Sequence, residues 1–243
     1  MGGPLFRGLF FTGTDTGVGK TFVASAVGRW LREQGRTVRV CKPVATGAAW
    51  VDGRWLSDDT QRLAEAGGQT DEPDAITPWA FPEPVAPPVA ARLHRTTLTL
   101  PSLAATVRKQ AQPGGILLVE GVGGLLCPLT ENETVADLVA ELRLPLVIVA
   151  RRSLGTLNHT LMTVEVALSR RLAVAGVVIN ETEPARDLAA QTNADELRRR
   201  LAVPLLAVVP HHVEAPSAAL AGVSAVDWWE IARERGVDEA WKP

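Results

Sequence analysis

The sequence predicts a three-layer α/β fold, doubly wound around a mostly parallel sheet. Three observations predict it. Short runs rich in valine, isoleucine and leucine recur along the 243 residues, apolar almost without interruption, as strands buried on both faces must be. Stretches with apolar residues at helical spacing separate them, and that alternation produces parallel strands joined by crossover helices. A glycine-rich run, Gly13 to Thr21, links an apolar strand to an amphipathic helix. In such a fold ligands bind at the carboxyl ends of the strands, so the residues after each strand are where chemistry is sought.

Taken in order, strands are expected near Leu9–Thr12, Val38–Pro43, Gly115–Glu120, Pro145–Ala150, Val174–Asn180 and Val203–Pro210. Helices are expected near Lys20–Gln34, Asp58–Ala66, Ser102–Gln110, Thr134–Leu142, Thr156–Leu172, Asp187–Leu201 and Val226–Arg235. In the first helix Phe22, Val23, Ala26, Val27, Trp30 and Leu31 form the apolar stripe. Residues 73–101 break the rhythm with seven of the seventeen prolines, yet carry Ile76, Trp79, Phe81, Val85, Val89 and Leu93. A flexible linker would be rich in glycine or serine. The stretch reads as an ordered excursion from one domain spanning 1–243.

Composition narrows the function classes. A net charge of −2 gives no footprint for nucleic acid or an anionic membrane. The strongly apolar stretch Leu144–Ala150 is strand length, far short of a membrane span. No secretory pattern is visible at Met1–Arg7. Two cysteines, Cys41 and Cys127, make no disulfide framework and no zinc spacing. A cytoplasmic protein is the expectation. Arg198, Arg199 and Arg200 complement the dipole at the end of a helix, and a solvated face explains them.

The run Gly13-Thr14-Asp15-Thr16-Gly17-Val18-Gly19-Lys20-Thr21 aims backbone N–H groups at one point, where the helix dipole and Lys20 add positive charge. Such a nest suits a nucleotide's phosphates, with the Thr21 hydroxyl on magnesium. The usual spacing puts the first glycine at residue 14; here it is Gly13. Lys42, leaving the second strand before the stiffening Pro43, reads either as a cation on substrate or transferring phosphate or as a surface lysine. Thr46 and Gly47 behind it permit close approach to a small ligand. Glu120 at the tip of the third strand is costly to bury without a cation and fits a magnesium carboxylate. Gly121, Val122 and Gly123 follow it. Asp58, after Ser57, reads as a helix cap or as a second acid near the metal, with Asp59 its competitor. Leu154, Gly155, Thr156 and Asn158 open a helix whose free N–H groups favour a carboxylate. His159 on that helix reads as structural. Asn180 and Pro210, after later strands, suit a purine ring.

With these strand ends in view, the sequence resembles the dethiobiotin synthetases, ATP-dependent ligases that close the ureido ring in biotin synthesis. The resemblance is carried by GTDTGVGKT (13–21), KPVATG (42–47), the acidic pair around Asp58, EPVAPPVAAR (83–92), VEGVGGLLCPL (119–129), LGTLNHTLMT (154–163) and GVVIN (176–180). Ala86 and Pro88 depart from the serine and histidine expected in the proline-rich motif, and Glu181 from an aspartate after Asn180. The resemblance implies a P-loop NTPase fold and a homodimer acting on 7,8-diaminopelargonic acid, CO2 and ATP with Mg2+. It implies Lys20 and Lys42 as the catalytic cations, and Thr21, Asp58 and Glu120 as metal residues. Gly17, Val18, Gly19, Phe22, Asn180, Glu181, Pro210, His211 and His212 would border the nucleotide, with Gly121 to Gly123. Thr16 and Thr46 would orient the substrate, while Leu154 to Asn158 would receive its carboxylate from the neighbouring subunit's site. The rival within the fold is a ParA/MinD-type regulatory ATPase, which binds DNA or membrane. That group has an early lysine in the loop where Thr14 and Asp15 stand.

Overall fold

Leu9, Phe10 and Phe11 are fully buried, yet Phe10 packs into one apolar cluster while Leu9 and Phe11 pack into another. Alternation along a strand sends neighbours to opposite faces, so the central strand must be covered on both. A computed structural model describes residues 6–184, 186–211 and 216–233 and shows that arrangement.

The elements run β1 (Gly8–Gly13), α1 (Lys20–Glu33), β2 (Val38–Cys41), β3 (Val44–Thr46), β4 (Ala49–Val51), β5 (Arg54–Leu56), α2 (Asp58–Gly67), α3 (Pro73–Ile76), β6 (Trp79–Phe81), α4 (Pro87–Leu93) and α5 (Leu100–Lys109). They continue with β7 (Ile116–Gly124), α6 (Val135–Leu142), β8 (Leu146–Arg151), α7 (Thr156–Ser169), β9 (Val174–Asn180), α8 (Leu188–Arg200), β10 (Leu205–Val209), α9 (Pro216–Val223) and α10 (Trp228–Ile231). The main sheet has the order β10-β9-β8-β1-β7-β2, with every pairing parallel. The strand order reverses around β1, which makes its carboxyl end the crevice of the sheet.

All six expected strands and the paired helices are found, with ends shifted by up to four residues. The chain adds two small sheets, a β3–β6 parallel pair and a β4–β5 hairpin. The proline-rich stretch is built of α3, β6 and α4, and its carbonyls hold the loop after β2: Lys42 N donates to Ile76 O at 2.9 Å and Ala48 N to Phe81 O at 2.9 Å. Near the end, Trp228 is core, its indole N–H donating to Val223 O at 2.8 Å. Trp229 lies between the guanidinium groups of Arg7 and Arg36, 4.3 and 4.2 Å from its ring centre. The expected last helix reaches only Ile231; residues 234 and 235 of that expectation lie outside the described residues.

Candidate active site

β1 runs straight into the phosphate loop. A Cβ on Gly13 would sit 2.6 Å from Asp15 O and 2.9 Å from Val18 Cγ2, so the turn needs glycine at 13, not 14. Gly19 caps α1 in the left-handed region at φ 88°, and a Cβ there would lie 2.0 Å from Asn180 Nδ2. That close approach is glycine's. Asn180 ends β9 beneath the loop and donates to Val18 O at 3.1 Å, while its Oδ1 is buried without a partner. Lys20, buried, reaches only Asp15 O at 3.4 Å. Burial lowers the pKa of its ammonium, with Glu120 opposing.

Register then sets the charged centre. Cys41 of β2 aligns with Val119 of β7, so the next residues along the two strands, Lys42 and Glu120, leave the sheet side by side. Lys42 Nζ donates to Glu120 Oε1 at 2.7 Å and to Asp59 Oδ2. Lys42 is 4% exposed. Burial pulls its pKa down, but Glu120 and Asp59 outweigh that and hold it above the ordinary lysine value. Thr21 Oγ1 donates to the same Glu120 oxygen at 2.8 Å, and Glu120 Oε2 stays buried without a partner. Burial favours the neutral acid at Asp59 too, yet Lys42 and Thr21 draw its pKa below the usual value.

A cleft of about 630 Å³ opens above this centre. Thr16, Gly17, Gly19, Lys20, Thr21, Phe22, Lys42, Thr46, Glu120, Val122 and Gly123 line it, all expected from the sequence. Of the two aspartates, Asp58 stands exposed at the first position of α2 and lies outside the cleft lining, whereas Asp59, one residue on, turns inward to Lys42. Ser57 is the cap, accepting from Thr60 N at 3.1 Å, which leaves neither aspartate that duty. The oxygens gathered around Lys42 and Glu120 are then hydroxyl and carboxylate, the kind that hard divalent cations take, and Glu120 Oε2 has no partner. Thr21, Asp59 and Glu120 therefore fit magnesium.

Other expected residues are not brought into this cleft. Val18 packs into the core under the loop. Gly121 points away from Glu120, where a Cβ would lie 3.0 Å from Phe10 and Val135. Glu181 pairs with Arg152 and accepts from His211 N at 3.1 Å, tying the ends of β9 and β10 beside Pro210. His212 lies outside the described residues. Leu154 is 82% exposed, Asn158 is exposed and Thr156 is buried; with Gly155 they do not line their own chain's cleft. The proline-rich excursion supplies one wall, Pro84–Pro87, and Arg62 and Cys127, to which the sequence assigned no place in the site, also line the cleft. A larger hollow, about 1100 Å³, lies around Gly114 and Leu142 at the amino ends of the strands, away from the phosphate loop. No helix among the described residues is long and apolar enough to cross a membrane.

The chain matches the AAA domain family over residues 7–216. It is 40% identical to the ATP-dependent dethiobiotin synthetase BioD of Aromatoleum aromaticum, over 88% of this chain and 95% of that protein. With the protein of the same name from Anaeromyxobacter dehalogenans (strain 2CP-1) it shares 46% identity, over 84% of this chain and 90% of the relative. Among solved structures it is similar to the septum site-determining protein MinD complexed with Mg-ADP from Pyrococcus horikoshii. There the TM-score is 0.55 and the identity 19%, covering 91% of this chain and 88% of that one. At that identity the likeness is one of fold.

Proposed function

The chain belongs to the AAA domain family and to the ATP-dependent dethiobiotin synthetases, and we propose that its cleft closes the ureido ring of dethiobiotin on 7,8-diaminopelargonic acid. CO2 adds to one amine, which loses a proton and becomes a carbamate. A carbamate oxygen attacks the terminal phosphorus of ATP and ADP leaves. The second amine then attacks the carbamoyl carbon of the mixed anhydride and loses a proton, and phosphate departs as the ring closes.

The protein's task in such a sequence is to position and to neutralise. Lys20 sits in the phosphate loop with a single weak carbonyl contact, free to bind the transferring group. Lys42 stands at the strand end where the carbamate oxygen would meet that group, and its raised pKa keeps it charged. Thr16 and Thr46 line the same cleft and orient the diamine. Thr21, Asp59 and Glu120 would hold magnesium, which when bound would offset charge on the phosphate oxygens. Asn180, whose Oδ1 is buried without a partner, and Pro210 border the adenine. We further propose a homodimer, in which the helix start at Leu154–Asn158 receives the substrate carboxylate from the neighbouring subunit's cleft. Its exposure at Leu154 and its absence from the lining of its own cleft support that. A cytoplasmic place of action accords with two unpaired cysteines.

One observation carries the reading: an ammonium buried between two carboxylates at the rim of the phosphate loop. The test is Lys42→Ala. Ring closure is expected to fall at least a hundredfold while ATP still binds; unchanged turnover would remove Lys42 from the chemistry.

A further inference from the structure

MgATP and the carbamate bring a dense set of negatively charged oxygens to the cleft, and one cation lining it has no task in the scheme above. Arg62 sits on α2 one helical turn beyond Asp59 and faces the cleft, exposed. Three carboxylates lie at helical neighbour spacing from it: Asp58 at i−4, Asp59 at i−3 and Glu65 at i+3. None of them pairs with it. Asp59 turns to Lys42, and Glu65 holds Arg29 at 3.2 Å. Among the described residues Arg62 makes no hydrogen bond or ion pair.

The other two cations of the cleft differ. Lys42 is engaged by both carboxylates, and Lys20 sits deep in the loop. The wall formed by Pro84, Val85, Ala86 and Pro87 offers no side-chain donor at all. A donor fork at the rim is therefore Arg62's alone to supply among the lining side chains of α2 and that wall. Guanidinium groups bind planar and tetrahedral oxyanions through two parallel N–H bonds.

We propose that Arg62 is an oxyanion-binding residue of this cleft, taking the phosphate oxygens of ATP or the carbamate of the substrate. The carbamate half of that statement rests on the synthetase reading; the phosphate half does not.

The experiment compares wild type with Arg62→Gln and Arg62→Lys. Binding of ATP with magnesium is measured by calorimetry in the absence of the diamine, and KM and kcat for the diamine are measured at saturating bicarbonate and ATP. A contact to phosphate predicts ATP binding weakened about tenfold in Arg62→Gln, as loss of a charge-assisted bond does. A contact to the carbamate predicts unchanged ATP binding and about a tenfold loss in kcat/KM for the diamine. In either case Arg62→Lys recovers part of the loss. ATP affinity, KM and kcat all within twofold of wild type in Arg62→Gln would overturn the proposal. If wild type itself makes no dethiobiotin, the synthetase reading fails, and the calorimetry still decides the phosphate contact.

Discussion

Lys42 would be a liability anywhere else in the sheet. An ammonium out of water costs several kcal/mol unless opposite charge and hydrogen bonds meet it. Here two carboxylates meet it, and Glu120 in turn takes the Thr21 hydroxyl. The same carboxylates are the ones proposed for magnesium, so the metal and the lysine share partners. Asp59→Asn is expected to weaken the magnesium dependence of ATP binding about tenfold or more, and Asp58→Asn to leave it near wild type; calorimetric metal titrations of both would check this. The reverse ranking would return the duty to Asp58. Lys42 and Glu120 were legible in the sequence because a charged residue at the end of an apolar strand has few ordinary explanations. The choice between Asp58 and Asp59 was not, since it depends on the angle at which α2 leaves its cap. Arg62 was invisible for a plainer reason: an arginine on an amphipathic helix looks like solvated surface until the cleft is seen beside it.

At the scale of the element, caps and register do the positioning. Thr134 caps α6, and both its N–H and its hydroxyl donate to Asp137 Oδ2, at 2.7 and 2.6 Å. Partial burial raises the Asp137 pKa, but those bonds and Arg170 outweigh it and hold the acid below its ordinary 3.8. A depressed acid stabilises the fold above its unfolded value and stops doing so as pH falls through the folded one. Asp137→Asn is thus expected to cost about 0.5–1 kcal/mol near neutral pH, a gap that shrinks as pH falls below the ordinary 3.8 toward the depressed value of the folded acid. Urea melts across that range would show it; a gap that persists in acid would contradict it. The long strands and helices were readable because their apolar periods are long. The helix placed at Ser102 begins at Leu100, because Thr99 is the cap and Pro101 sits in the first turn, where its missing N–H does no harm. Three-residue strands such as β3 and β6 carry no alternation to read, and the prolines around β6 hide it further.

Over the whole molecule, two apolar layers sandwich the sheet and leave its carboxyl edge open for the cleft. The alternation of strands and helices foretold that edge, and Lys20, Thr21, Lys42 and Glu120, singled out at the strand ends, line the cleft there. It did not foretell the support beneath Lys42, because contacts such as Lys42 N to Ile76 O join segments 34 residues apart. Phosphoryl transfer in this cleft, on the reading proposed, is coupled to ring closure. That coupling is tested most directly by supplying labelled bicarbonate, the diamine, ATP and magnesium to the intact protein and following label and phosphate together. Coupling predicts label in dethiobiotin, one phosphate released per ring, and no phosphate without the diamine. Phosphate released without the diamine, stimulated instead by DNA or lipid, with no label in dethiobiotin, would contradict it.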